Sequence, residues 1–392
     1  MKKTYLLLLA VLGGLGSCSE EPIGQTPVNN IPPATVTNVS VENFNGGAKI
    51  SYHLPEDEDL MYVEARYEVN GVKYQTSASL YKNFVEVQGF GNTSERQVEL
   101  VCVDKSMNES EPVSVTIHPL TPPIDLIFES LRLQSDFGGI RASWKNEHKA
   151  DISVTILLPD SFGILKPYPG GTFYSDAVNG TGVIRGFPSE KQFFAVTARD
   201  RWGNQSDTVK GDFVPLYEEK LDKSKFRDLF LEGDKPLNKY GWSIRNLWND
   251  KINVNEGAHG DGVLGVPYPF TFDLGQTAQL SRIVVNHRPS GQFSWGNGGG
   301  FNYEIWGTDE YIDDGDYSEW TLLLDCLPEK PSGLPYGDYN DEDAQLWIKG
   351  FEYDVPIDAP KVRYLRFVFK DAHPVLAEIT VYGEPEGYMS GN

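Results

Sequence analysis

Two loops in the last third of the chain hold the residues whose types could do chemistry. The first, residues 240–265, holds Trp242, Trp248, Asn249, Asp250, Asn253, Asn255 and His259. The second, residues 287–300, opens with His287 and Arg288, carries Trp295 and Asn297, and closes on three glycines. Trp295 joins a large flat contact area to a polar edge, a combination that can lie against a sugar ring. The glycines at 296 and 298 to 300 let this loop turn sharply. Acidic side chains are plentiful enough to place two carboxylates at glycosidase spacing. None of them sits in a recognisable catalytic motif. There is no Gly-x-Ser-x-Gly elbow, no His-Glu-x-x-His, no phosphate loop and no Cys beside a His. The sequence therefore predicts binding, not catalysis.

Such loops need a rigid frame. Apolar alternation predicts strands at 270–275, 280–287, 301–308, 320–324, 362–369 and 376–382, with Ile283 and Val285 on one face. No long helical period separates them, so residues 226–385 predict an antiparallel jelly roll. Trp306 and Trp320 fall within strands and are expected in its core. From Asp309 to Asp343 the chain carries twelve acidic residues and a single base, Lys330. Such a run is expected as a solvated loop. It also holds Tyr311, Tyr317, Tyr336 and Tyr339, and it is long enough to cover a neighbouring site. Trp347, in an insertion, has no assignable role.

Upstream lies an internal repeat. Gly46-Gly47-Ala48-Lys49-Ile50-Ser51-Tyr52 echoes Gly138-Gly139-Ile140-Arg141-Ala142-Ser143-Trp144, and Asp104 to Ser110 echoes Asp200 to Ser206. Two segments in register over that length indicate a duplication. Each copy, about 90 residues long, reads as short alternating strands broken by turn residues, the pattern of a small β-sandwich. The copies resemble fibronectin type III domains, with an Asp-x-x-x-Asn-x-Ser sequence after the penultimate strand. Its Asp and Asn are expected to hold a tight turn by bonding backbone groups, with no chemistry of their own. The expected boundaries are 34–119 and 123–216, joined by a short, stiff Leu120-Thr121-Pro122-Pro123 link. Residues 221–231 are expected as a brief helical turn or a loop.

The chain has 34 Lys and Arg against 56 Asp and Glu, a formal net charge of −22. That balance disfavours nucleic acid and anionic lipid as partners and leaves neutral sugars or cations open. Three cysteines are too few for a disulfide framework. Cys102 alternates with Val98 and Leu100 as a core residue, and Cys326 lies in a different region. Lys2 and Lys3, an apolar run and Leu15-Gly16-Ser17-Cys18 form a secretory signal over residues 1–17. No other apolar stretch reaches the ~20 residues of a spanning helix. Residues 18–33 form a polar, proline-bearing spacer.

The segment ending in Cys18 resembles a bacterial lipobox. That resemblance implies an acylated Cys18 that anchors the mature chain to the outer membrane, since each buried methylene contributes roughly 0.8 kcal/mol. Ser19-Glu20-Glu21 resembles the surface-export signal of lipoproteins in Sus-type glycan-uptake systems. Five further segments, in order, carry a second resemblance: Phe272-Asp273-Leu274-Gly275, Leu280-Ser281-Arg282-Ile283, Asn302-Tyr303-Glu304-Ile305-Trp306, Arg363-Tyr364-Leu365-Arg366-Phe367, and Ala377 to Gly383. They resemble a discoidin-like domain, the coagulation-factor C type also seen in galactose-binding modules. The fold class expected is therefore all-β: two tandem fibronectin type III-like sandwiches followed by a discoidin-like jelly roll.

By the same resemblance Arg288 and Asn297 would donate hydrogen bonds to sugar hydroxyls, with His259, His287 and Trp295 completing a carbohydrate site. A structural calcium is implied as an option, held by Asp250, helped by Asn249 and Asn253, and closed by Glu378; calcium takes six to eight oxygens. The three-part layout resembles lipoproteins of glycan-utilisation loci. It implies a non-catalytic cell-surface protein that captures a glycan for neighbouring enzymes and a transporter. The alternative is a structural or protein-docking subunit of an outer-membrane uptake complex.

Overall fold

The computed structural model describes residues 29–296 and 299–387. Cys18, the 1–17 leader, the start of the spacer and Asn297 lie outside them. Among the described residues no helix is long and apolar enough to cross a membrane.

The first module contains β1 (Thr37–Phe44), β2 (Gly47–His53), β3 (Leu60–Val69), β4 (Val72–Ser79), β5 (Phe84–Gln88), β6 (Arg96–Asp104) and β7 (Val113–Ile117). Two antiparallel sheets, β1-β2-β5 and β4-β3-β6-β7, face each other. In β2 the alternation buries Ala48, Ile50 and Tyr52 against Val63, Val87 and Leu100.

The second module repeats this plan with α1 (Pro123–Ser130), β8 (Arg132–Asp136), β9 (Gly139–Lys145), β10 (Ile152–Pro159), β11 (Leu165–Ser175), β12 (Asn179–Arg185), β13 (Gln192–Asp200) and β14 (Val209–Phe213). Its sheets are β8-β9-β12 and β11-β10-β13-β14, and β9 buries Ile140, Ala142 and Trp144 at the positions of Ala48, Ile50 and Tyr52. Gly46 and Gly138 hold matching turns at φ +72° and +63°. The duplication read from the sequence is thus present strand for strand. The link differs from expectation: its second proline starts α1, where a residue with no N–H and a preset φ costs nothing.

The repeated Asp-x-x-x-Asn-x-Ser turns behave alike internally. Asp104 Oδ1 accepts from the Ser106 and Asn108 amides, and Asp200 Oδ1 from those of Trp202 and Asn204, at 2.8–2.9 Å. Ser110 and Ser206 then accept the amides of Cys102 and Ala198. Outward, each turn grips whatever precedes its module. Asn204 donates to the Gly89 carbonyl and accepts from Asn70, while Trp202 packs edge-on to Tyr74 at 5.0 Å. Asn108 donates to the carbonyls of Asn29 and Ile31. The end of the spacer is therefore held against the first module.

The third module contains β15 (Glu219–Lys220), β16 (Arg227–Leu229), β17 (Ala258–His259), β18 (Tyr268–His287), β19 (Tyr303–Thr308), β20 (Thr321–Cys326), α2 (Asp341–Lys349), β21 (Phe351–Asp354), β22 (Val362–Phe369) and β23 (Val375–Pro385). It begins at Glu219, ahead of the expected residue 226, because β15 pairs with β23. Between them the 221–231 stretch forms a short turn, Lys223–Lys225, and then β16.

The two strands expected at 270–275 and 280–287 are halves of β18. Its first half pairs with β22 and its second with β23, and it bends at Gly275, where φ is +67° and a Cβ would strike the Lys225 carbonyl. The two halves lie in facing layers, with Phe270, Phe272, Tyr303, Phe367 and Phe369 stacked between. Trp320 is buried as expected, whereas Trp306 is only half-buried, its indole N–H on Glu304 and its ring against Tyr317. Cys102 and Cys326 are buried and unpaired.

An ionic lattice joins the second and third modules. Arg185 contacts Asp354 at 2.6 Å, Arg282 contacts Glu352 at 3.0 Å and Glu218 at 3.1 Å, and Arg141 bridges Asp136 and Asp354.

Candidate functional site

The strand register places both ends of β18 at one end of the third module. Tyr268 pairs with Phe369 and His287 with Leu376, and the 370–374 turn between β22 and β23 spans the two layers there. The loops gathered at this end form a rim. Arg288 leaves β18 with its amide on the Val375 carbonyl and its Nε on the Val254 carbonyl at 2.7 Å. Its guanidinium then lies 4.1 Å from the centre of the Phe293 ring and 5.5 Å from that of Trp242.

His259 pairs with Val375 through β17 and stacks on His373 at 5.3 Å, with Tyr240 and Trp242 edge-on at 5.1 and 5.7 Å. Burial holds the His259 imidazole below its usual pKa, while the Gly260 carbonyl at its Nδ1 opposes that shift. Tyr240 has a left-handed backbone and is 75 % exposed. The result is a shallow surface of rings around a guanidinium whose Nε is fixed on the Val254 carbonyl. It can stack an apolar ring face and donate hydrogen bonds to hydroxyls.

Two residues expected at this surface are turned inward. Trp295 is 0 % exposed; its indole N–H donates to the Asp343 carbonyl at 2.9 Å, and its ring packs on Phe301, Trp347 and Phe351. His287 is fully buried against Trp347 at 4.3 Å, with Tyr303, Phe351 and Phe369 around it. Burial alone pushes its pKa down to about 3. Neither can touch a ligand.

The cause is α2. The acidic run is not solvated to its end: Asn340 and Asp343 make a reciprocal capping box, Asp343 also accepts from Ser332, and the helix then presents Trp347 to both residues. Tyr336 closes over Gly296 and stacks on Phe301. Lys330, the one base of the run, donates to the carbonyls of Leu334, Pro335 and Asp338. The insert thus builds its own small core on the glycine-rich loop.

Of the five expected carbohydrate residues, the rim carries a half-buried Arg288, holds His259 beneath its rings at 7 % exposure, excludes His287 and Trp295, and leaves Asn297 outside the described residues. Tyr240, Phe293 and His373 were not foreseen. The available signal was their position in connections at the strand ends, His373 directly before Pro374 and the last strand.

The expected calcium ligands do not fit a metal. Lys223 donates to Glu378 Oε1, and to Asp250 Oδ1 at 2.9 Å; Lys220 also contacts Asp250, and the Asp250 amide points at Glu378. Only Glu378 Oε2 remains a buried oxygen without a partner, far short of calcium's six to eight. No group of three or more His, Cys, Asp or Glu able to hold a metal occurs among the described residues. Hydrogen bonds from Lys220 and Lys223 hold the Asp250 carboxyl below its usual pKa, whereas burial pushes Glu378 up against the opposing pull of Lys223.

A modular all-β chain with an aromatic and cationic rim at its far end is the class these features define. Three domain-of-unknown-function models match it: DUF4959 at residues 33–119, DUF5126 at 120–224, and a third at 248–383. The solved SusE-like protein BT2857 is 32% identical, covering 67% of this chain and 100% of its own, with a TM-score of 0.43. The chain belongs to this SusE-like family. A carbohydrate-binding module, CBM32-3, of a family 31 glycoside hydrolase from Clostridium perfringens is 18% identical over 42% of this chain and 95% of its own, with a TM-score of 0.30. A putative chitobiase fragment from Bacteroides thetaiotaomicron is 20% identical over 44% and 96%, also at a TM-score of 0.30. No curated protein matches the chain.

Proposed function

We propose that this is a non-catalytic glycan-binding protein of the cell surface, tethered through an acylated Cys18 to the outer membrane, that holds polysaccharide for uptake through the rim of its third module. The observation that carries this reading is the Arg288 guanidinium set against Trp242 and Phe293 beside His259 and the exposed Tyr240. Modest affinity suits such an open site, which offers rings and donors but encloses little. The SusE-like relative supports the setting, and the net charge of −22 favours a neutral sugar over an anionic polymer.

The test is native electrophoresis in gels cast with neutral polysaccharides. Retardation by at least one polysaccharide, lost in Arg288→Ala and Trp242→Ala proteins with unchanged melting, supports the reading. Equal mobility in every gel refutes it.

A second reading rests on the ionic lattice and the Trp202 joint, which tie each module to the next. A spacer or docking subunit of an uptake complex would use that stiffness with no sugar site. Co-purification of a transporter with a chain that no glycan retards would favour it.

A further inference from the structure

We propose that a second subsite, one sugar ring deep, adjoins the rim and extends the glycan site to at least two residues. This rests on the reading of the rim as a glycan site. A cavity of about 230 Å³ opens between the end of β16, the 234–238 turn and the segment that follows Tyr240, with Phe270 and Thr271 as its floor. Trp242 lines this cavity and also lies in the Arg288 cluster, so the two sites share a wall. Phe230 stands at the cavity 64 % exposed, a large ring left in water beside a concave surface. Asn238, also lining it, makes no capping hydrogen bond to the turn it begins.

Charge selects the ligand class. Every ionised group lining the cavity is engaged: Asp228 with Arg245 at 2.7 Å, Asp234 with Arg366 at 3.3 Å and with the Thr271 hydroxyl, and Lys235 with the Pro267 carbonyl. Both lining carboxylates are thus ion-paired, and the Lys235 ammonium is turned onto a backbone carbonyl and the Tyr268 ring, so the cavity offers no free carboxylate to a cation and only one cation to a ligand. Beside it stand a ring face, the Asn238 amide and the Ser243 hydroxyl, which accepts the Arg245 amide and keeps its O–H to donate, a set that complements a pyranose with its apolar face and equatorial hydroxyls. Size limits it to one ring, since pockets that bury drug-sized ligands run to ~300–1,000 Å³.

The experiment uses the full chain in gels cast with galactan, mannan, xylan or starch, and compares wild type with Phe230→Ala, Asn238→Trp and Arg288→Ala. Asn238→Trp fills the cavity mouth from an exposed position. The expected result is retardation of the wild type by one polysaccharide, weakened about tenfold in both cavity variants, with melting unchanged. Retardation lost in Arg288→Ala but within twofold of wild type in both cavity variants overturns the second subsite and leaves the rim standing. No retardation of the wild type by any of the four overturns both.

Discussion

The indole N–H of Trp347 donates to the carbonyl of Arg288 at 3.0 Å. A residue of the acidic insert thereby fixes the backbone of the residue on which the rim depends, from 59 positions away. Trp347→Ala removes this clasp and opens a cavity beside Trp295 and His287. It should lower stability by about 3–5 kcal/mol, read by urea unfolding, and weaken glycan retardation in the same protein. Trp295→Ala should cost stability on the same scale, whereas Tyr240→Ala, at an exposed ring, should change retardation alone.

The lysine between Glu378 and Asp250 leads to a second expectation. Lys223→Met keeps the packing volume but leaves Glu378 buried without its partner, at a cost of about 3–5 kcal/mol. Adding Glu378→Gln should recover most of it. Because the Lys223 and Lys220 ammonium groups already neutralise these two carboxylates, EDTA and calcium should both leave the wild-type Tm in place. A shift with either, measured by calorimetry, would contradict this placement of charge.

His287 gives a pH dependence with a defined sign. Its folded pKa of about 3 lies below the ~6.5 of an unfolded histidine. The unfolded chain therefore takes up a proton first as pH falls, and stability is lost between about pH 6.5 and 3 at up to ~1.4 kcal/mol per pH unit. Urea midpoints of wild type and His287→Phe, compared at pH 7, 5 and 4, should diverge as the wild type falls faster. Parallel curves would show that this imidazole is not held neutral.

The lattice between the second and third modules should matter for shape more than for stability. Its Asp354 and Glu352 pairs are partly solvated and are worth about 0–1 kcal/mol each. Replacing Asp354 and Glu352 together by alanine, which leaves buried Glu218 with Arg282, should leave the melting of the modules nearly unchanged. The radius of gyration in small-angle scattering should rise as the third module gains freedom.

The sequence made the frame legible because the frame is local. Alternation located β22 at its observed limits, and the echo between Gly46–Tyr52 and Gly138–Trp144 announced two equivalent sandwiches. The site was half legible. His259 and Arg288 follow from their places in the loops, but burial of Trp295 depends on a helix some 50 residues downstream. That helix forms within an acidic run whose mean character is that of a loop, through one capping box and one tryptophan. Lys223 is equally silent in sequence, because a lysine in a polar stretch gives no sign that a glutamate far along the chain will close on it.

The paired Asp-x-x-x-Asn-x-Ser turns have a mechanical consequence. Asn108 holds Asn29 and Ile31 as Asn204 holds Gly89, so the same hook recurs at each upstream joint. A pull on the chain at Asn29 reaches the first sandwich through these hydrogen bonds. Load applied at Asn29 would therefore be shared with the folded sandwich from the first residue that the turn holds.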